Sequence, residues 1–217
     1  MKKGILTVVI GCLLMWPLCA TGQSLSPDEI MDRVEARYNV QGIFVRFYQT
    51  STYKALDITD SAEGQIYIKK PGRMRWEYEI PEKKFFITDG ESLWIYLPGD
   101  NQVMMGAADT FFGEGKGGAF LADMTLIRKF FTVELASDDP EGYWMLKLTP
   151  AEPSGDIQVV TLTVSKGNFN VLQVATENAY GDETRHTFEA PEFDRELEDK
   201  LFTFSLPEGA EVVLLDE

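Results

Sequence analysis

Between residues 73 and 80 the chain reads Arg-Met-Arg-Trp-Glu-Tyr-Glu-Ile. Arg73, Arg75, Glu77 and Glu79 occupy one parity, and Met74, Trp76, Tyr78 and Ile80 the other. A repeat of two is the period of a pleated strand, whose successive side chains point to opposite faces; a helix of 3.6 residues per turn would scatter it. This segment is therefore part of a two-faced sheet, charged and wet on one side, apolar and aromatic on the other. The stretch around it, residues 64–97, holds three strand-like runs, each ended by a turn signal. What the apolar face touches decides what such a chain can do.

The same reading extends over most of the sequence. Strands are expected at 42–53, 62–70, 73–80, 83–88, 92–97, 102–105, 131–136, 143–149, 157–165, 171–178 and 184–190. Asp89-Gly90, Pro98-Gly99-Asp100-Asn101, Lys166-Gly167-Asn168 and Gly181-Asp182 are turn signals between them. Short strands at this spacing predict one large antiparallel sheet, which must curl. Two segments are helical instead. Ser26-Pro27-Asp28-Glu29 supplies a capping residue, a proline for the first turn and the partner of a capping box, and Ile30, Val34 and Tyr38 follow on one stripe. Later, the glycine-rich run 111–118 leads into Phe120, Leu121, Met124, Ile127 and Phe130 at near-helical spacing. A long glycine-rich loop entering an apolar helix is the pattern of a lid, or of an ordinary packing helix with a mobile loop before it.

The first residues stand apart. Met1-Lys2-Lys3 is basic, and 4–18 is an apolar run too short for a typical membrane span, so residues 1–22 read as an export leader and 23–217 as one domain. Leu18 precedes Cys19, which speaks against a lipid-modified cysteine. Cys12 and Cys19 both leave with the leader, so the mature chain has no disulfide or thiolate chemistry. Loss of Lys2 and Lys3 leaves 18 basic against 35 acidic side chains, a net charge of about −17. Such a surface repels nucleic acid and anionic headgroups and favours basic partners.

Catalytic chemistry finds little support. His186 is the single histidine, on an expected strand, where packing is its commoner role. No GxSxG, HExxH or GxxxxGK[ST] pattern occurs, and the acidic pairs Asp138-Asp139 and Asp216-Glu217 lack ligand spacing. The reading is of a protein with no catalytic residues, no metal site and no cofactor. What remains is aromatic: Trp76, Tyr78, Phe85, Phe86, Trp94 and Tyr96 fall close together. A curled sheet covered by two amphipathic helices encloses either a tight core or a ligand cavity, and periodicity alone does not choose. The glycine run before the lid and the flexible Met74, Met104, Met105 and Met124 suit adaptable contacts.

The run IYIKKPGRMRWEYEIP…FFITDGESLWIYLP resembles the motif of the periplasmic outer-membrane lipoprotein carrier family, LolA. The order of helix, meander, lid region and C-terminal strands is similar over nearly the whole mature chain, and 202–209 resembles the family's closing strand and Pro-x-Gly turn. The resemblance implies a mainly β (α+β) fold: a single curved antiparallel sheet forming an unclosed β-barrel, with helices as a lid over a hydrophobic cavity. It implies a monomeric periplasmic carrier of acylated lipoproteins, which takes them from an inner-membrane ABC transporter of the lipoprotein-releasing type and gives them to an outer-membrane acceptor. On that basis Met74, Trp76, Tyr78, Phe86, Trp94 and Tyr96 are expected to line the lipid-binding cavity, and Phe120, Leu121, Met124 and Ile127 the lid. Family members carry an arginine before the first motif proline that bonds the lid closed; here Lys70 precedes Pro71, keeping the charge without the planar fork. A lipid- or lipoprotein-sensing periplasmic regulatory module of the same fold is the alternative implied by shape.

Overall fold

The computed structural model describes residues 25–108, 124–139, 142–152 and 156–215. The expected leader, the glycine-rich run 111–118, and the lid residues Phe120 and Leu121 lie outside the described residues.

Helix α1 spans Pro27–Tyr38 and begins as its sequence dictates. The Ser26 backbone N–H donates to Glu29 Oε2 at 2.9 Å, and the Glu29 N–H donates back to Ser26 Oγ at 3.3 Å. Each satisfies an amide that the first turn leaves unpaired. That hydrogen bond from the Ser26 backbone also holds the Glu29 carboxyl below its ordinary pKa. Ile30, Met31, Val34 and Tyr38 form the buried stripe.

Six strands follow: β1 (Gly42–Tyr53), β2 (Ile58–Lys69), β3 (Arg73–Ile80), β4 (Lys84–Thr88), β5 (Ser92–Leu97) and β6 (Gln102–Ala107). A short helix α2 (Thr125–Phe130) precedes β7 (Phe131–Asp139), β8 (Tyr143–Pro150), β9 (Val159–Ser165), β10 (Val171–Glu177) and β11 (Glu183–Phe193). A 3₁₀ turn, Asp199–Phe202, and β12 (Glu211–Leu214) close the chain. All twelve strands form one sheet in the order β12-β6-β5-β4-β3-β2-β1-β11-β10-β9-β8-β7. Every neighbouring pair is antiparallel except β12 and β6, which run parallel. β7 and β12 stand at opposite ends of that order, so the barrel is unclosed.

The C-terminal segment departs from the sequence reading. Residues 202–206 do not form the closing strand, the 3₁₀ turn ending at Phe202; the Pro-x-Gly turn is present, with the Ala210 N–H donating to the Pro207 carbonyl at 3.3 Å, and the pairing segment is Glu211–Leu214. The run Phe-Thr-Phe-Ser-Leu alternates like a strand, but Phe202 is buried and Phe204 packs on Trp94 and Tyr96, while Leu206 is exposed.

The sheet curls around an apolar core. Ile43, Val45 and Phe47 of β1, Ile66 and Ile68 of β2, and Met74 and Trp76 of β3 share that core with Trp144, Leu146 and Leu148 of β8 and Val160, Leu162 and Val164 of β9. Strands so far apart in the sheet order meet one another only if their common face is concave. Ile30, Met31, Val34 and Tyr38 of α1, together with Met124 and Ile127, fill the concavity. The Tyr38 hydroxyl, buried here, accepts a hydrogen bond from the Val171 N–H at 3.1 Å, and burial pushes its pKa up to about 12.

Candidate functional site

Register decides which aromatic side chains share a wall, because residues directly opposed in a ladder project to the same face. Trp76 is opposed by Ile66 on β2 and by Phe86 on β4, and Tyr78 by Gly64 and Lys84. Met74, Trp76, Tyr78 and Phe86 therefore stand together on the concave side. Met74 and Trp76 are fully buried, and Tyr78 and Phe86 pack against the core at its margin. The cluster is bound by ring contacts. Phe47 meets Trp76 edge to face at 5.2 Å and Tyr78 at 5.0 Å, and Trp76 and Tyr78 stack at 6.1 Å. Gly64 makes this possible: a Cβ there would stand 1.9 Å from the Glu77 carbonyl oxygen and 3.0 Å from the Phe47 ring. Lys84 Nζ lies 5.1 Å from the Tyr78 ring centre and 5.8 Å from that of Phe86, a cation over the aromatic margin.

Trp94 and Tyr96 lie on the other face, which corrects the expectation that they line the same wall. Their partners across the ladder are Ile87 and Phe85, which oppose Arg75 and Glu77 on β3. Both rings instead receive Phe204 from the C-terminal segment, with centroids 6.0 Å and 5.8 Å away. That segment is strapped down by charge: Asp199 accepts from Lys69 at 2.5 Å and from Arg73 at 2.7 Å, and Arg75 reaches the Leu201 carbonyl at 3.3 Å. The hydrogen bond from Lys69 holds the Asp199 carboxyl below its usual range. Phe202 is buried beneath the strap. The outer face thus has its own apolar contact, and it is already occupied.

Beyond the aromatic wall the concave side turns polar. Gln49 opposes His186 across β1 and β11, and His186 opposes Val174. Gln49 Oε1 accepts from the Tyr78 hydroxyl at 2.7 Å and from His186 Nε2 at 2.9 Å, while Gln49 Nε2 donates to Ser51 Oγ at 2.9 Å. Burial lowers the His186 pKa to about 4 and raises that of Tyr78, so both are neutral at physiological pH. Sequence reasoning places His186 on a strand but does not see Gln49, whose partners are remote in the chain.

The roof is held by a residue the sequence did not single out. Arg128 on α2 donates from Nη2 to the Asp28 carbonyl at 2.9 Å and to Asp32 Oδ1 at 2.6 Å. Its Nε lies 2.9 Å from Glu35 Oε1, an ion pair more than an aligned hydrogen bond. Asp28, Asp32 and Glu35 recur at helical spacing along α1, which is the signal that was available. Met124 and Ile127 are buried beneath α2. Lys70 Nζ donates to Asn39 Oδ1 at 2.8 Å, at the C-terminal cap of α1, and not to a described residue of α2.

Among the described residues no group of His, Cys, Asp or Glu is arranged to hold a metal ion, and no helix is long and apolar enough to cross a membrane. A curled, unclosed sheet whose inner face shares one apolar core with two helices defines a protein organised around an apolar interior. The family model described as outer membrane lipoprotein carrier protein LolA matches residues 38–205, and the chain belongs to that family. A protein of Alkalilimnicola ehrlichii named outer-membrane lipoprotein carrier protein is 32% identical over 181 residues, covering 82% of this chain and 81% of its own. One of the same name from Chromohalobacter salexigens is 26% identical over 206 residues, 95% of each chain. The crystal structure of an uncharacterized conserved protein from Thermus thermophilus shares the fold, with a TM-score of 0.57 at 17% identity over 87% of this chain and 98% of that one.

Proposed function

We propose that this protein is a periplasmic carrier that shelters the acyl chains of lipoproteins against the Met74–Trp76–Tyr78–Phe86 wall. It is exported by a leader over residues 1–22, which is then removed. It receives its cargo from an inner-membrane ABC transporter of the lipoprotein-releasing type and passes it to an outer-membrane acceptor. No reaction is assigned to it, and it works as a monomer.

The observation that carries this reading is the contrast between wall and roof. The wall is a continuous aromatic surface on β3 and β4 within a hydrogen-bonded sheet. The roof helix α2 has six residues, no side-chain cap at its N-terminus, and a tether through Arg128 that is partly exposed. A helix this short has no stability of its own, and exposed ion pairs contribute only about 0–1 kcal/mol each. Each acyl methylene that leaves water gains about 0.8 kcal/mol. A roof that opens at small cost lets chain burial offset the opening, so cargo is held and yet released without an energy source. Lys70 and Arg128 divide the gating: Lys70 fixes the end of α1, and Arg128 fastens α2 to it.

Incubation of the purified protein with inner-membrane vesicles containing the transporter tests the reading. Lipoprotein recovered in a soluble complex supports a carrier. Acyl-chain binding without such release points to the sensing module instead.

A further inference from the structure

The β1–β2 ladder runs on after its neighbour has stopped. β3 ends at Ile80, opposite Glu63, and residues 58–62 of β2 pair with β1 alone. At about 3.4 Å per residue this arm extends about 17 Å past the end of β3. Residues 52–61 are exposed on both faces, so no core lies beneath them. Tyr53, Leu56 and Ile58 nevertheless stand there, Leu56 in the turn with 68% of its surface in water. Tyr53 and Ile58 oppose one another in the ladder and share a face. Tyr53 follows Phe47 in unbroken alternation, so that face is the side of the sheet that carries the aromatic wall.

The arm is fixed in place. Thr52 Oγ1 and Thr59 Oγ1 meet at 3.2 Å across it, and the Lys54 N–H donates to Asp182 Oδ1 at 2.9 Å. The second bond ties it to the β10–β11 turn, where Asn178 Oδ1 accepts from the Tyr180 and Asp182 N–H groups at 2.9 Å and 3.0 Å. That turn displays Tyr180, 81% exposed. Single exposed apolar side chains are ordinary, but four on two turns bonded to one another form a patch, and a patch marks a contact. Shape and charge define the partner. The side chains stand on turns and not in a groove. Within residues 53–58 Lys54 balances Asp57, so the tip is neutral on a chain of net charge −15. A basic protein surface would be drawn to the acidic remainder of the molecule. A neutral tip of tyrosine and aliphatic side chains has the composition of an interfacial membrane anchor.

We propose that the β1–β2 arm touches a zwitterionic phospholipid bilayer, Leu56 and Ile58 entering the boundary between headgroups and acyl chains, with Tyr53 and Tyr180 at headgroup level. Contact there turns the concave side of the sheet, and not the strapped outer face, towards the lipid. The inference goes beyond the carrier reading and does not depend on lipoprotein capture.

Residues 23–217 contain no cysteine, so Ala55→Cys accepts one environment-sensitive fluorophore beside an intact Leu56. With vesicles of phosphatidylcholine and phosphatidylethanolamine, and no lipoprotein, its emission is expected to shift to the blue. A label on Gly167→Cys, in the turn at the other end of β10, is expected to stay unchanged. In co-sedimentation with the same vesicles, the double variant Leu56→Ser, Ile58→Thr is expected to bind about tenfold more weakly. Its Tm should match wild type, because both side chains are exposed. Adding phosphatidylglycerol is expected to weaken binding, as the acidic surface meets like charge. Binding that rises with phosphatidylglycerol, or that the double variant retains, places the contact elsewhere and overturns the inference. Absence of vesicle binding by wild type overturns it too, and leaves the carrier reading standing. If the double variant then also fails to release lipoprotein from inner-membrane vesicles, the arm docks on a membrane protein and not on lipid.

Discussion

Arg128 and Asp32, almost a hundred residues apart in sequence, meet at 2.6 Å and join the short helix α2 to α1. The guanidinium also spans the Asp28 carbonyl and the Glu35 carboxylate, so one side chain on α2 engages three successive turns of α1. Because the contact is partly exposed, it sets the position of α2 more than the stability of the whole fold. Arg128→Leu is expected to reduce global stability by less than about 1 kcal/mol while raising amide hydrogen exchange across Thr125–Phe130 and speeding cargo release. Lys70→Leu, which acts on the end of α1, changes exchange near Asn39 and alters release less. Hydrogen exchange read by mass spectrometry on both variants checks the division.

Brominated acyl chains give a direct check on the two faces. Trp76 faces the core and Trp94 faces Phe204 on the outside. Bromine carried on a bound chain is expected to quench Trp76 and leave Trp94 unchanged, as read from single-tryptophan variants. Equal quenching of both would contradict the register argument.

Gly64 lies where three elements converge, and its missing side chain is the reason the Phe47 and Tyr78 rings approach. In Gly64→Ala the new methyl collides with backbone, which cannot rotate away. A loss of roughly 1–3 kcal/mol is expected from overpacking of this kind, measurable by urea denaturation. Gly99→Ala, at a turn with open space around it, serves as the control.

His186 makes stability depend on pH. Its folded pKa is about 4 against an ordinary 6.5, so between those values the unfolded chain binds a proton that the folded chain does not. The stabilisation from burying the neutral ring is complete above pH 6.5 and is lost as pH falls towards 4, by on the order of 3 kcal/mol. Tyr78 is the titratable group that shares its glutamine partner, and it stays neutral throughout this range. Denaturation of wild type and His186→Phe from pH 7 to pH 4 is expected to show the steeper loss in wild type.

Much of this architecture is legible in the sequence, and its failures have a physical cause. The Arg73–Ile80 alternation locates β3 and its inner face because every second residue is charged. Phe86 follows from the same strand by simple pairing. Ser92–Leu97, in contrast, reads Ser-Leu-Trp-Ile-Tyr-Leu, with apolar residues on both parities. No polar side marks its outward face, because the strap carrying Phe202 and Phe204 covers that face too. The position of Trp94 and Tyr96 is therefore set by ladder register and not by pattern. Arg128 escapes sequence reading for a related reason: its partners lie on a distant helix, and only the spacing of Asp28, Asp32 and Glu35 hints that they await a cation. The shared role of Gln49 depends on β1 lying beside β11, an adjacency that no local signal encodes.

Transfer between membranes is the decisive property. Mature protein incubated with inner-membrane vesicles bearing the lipoprotein-releasing transporter, then with outer-membrane vesicles, should carry lipoprotein first into a soluble complex and then into the second membrane. Arg128→Leu should accelerate the second step. Lipoprotein that stays in the inner-membrane fraction whatever the amount of protein added would contradict the central claim.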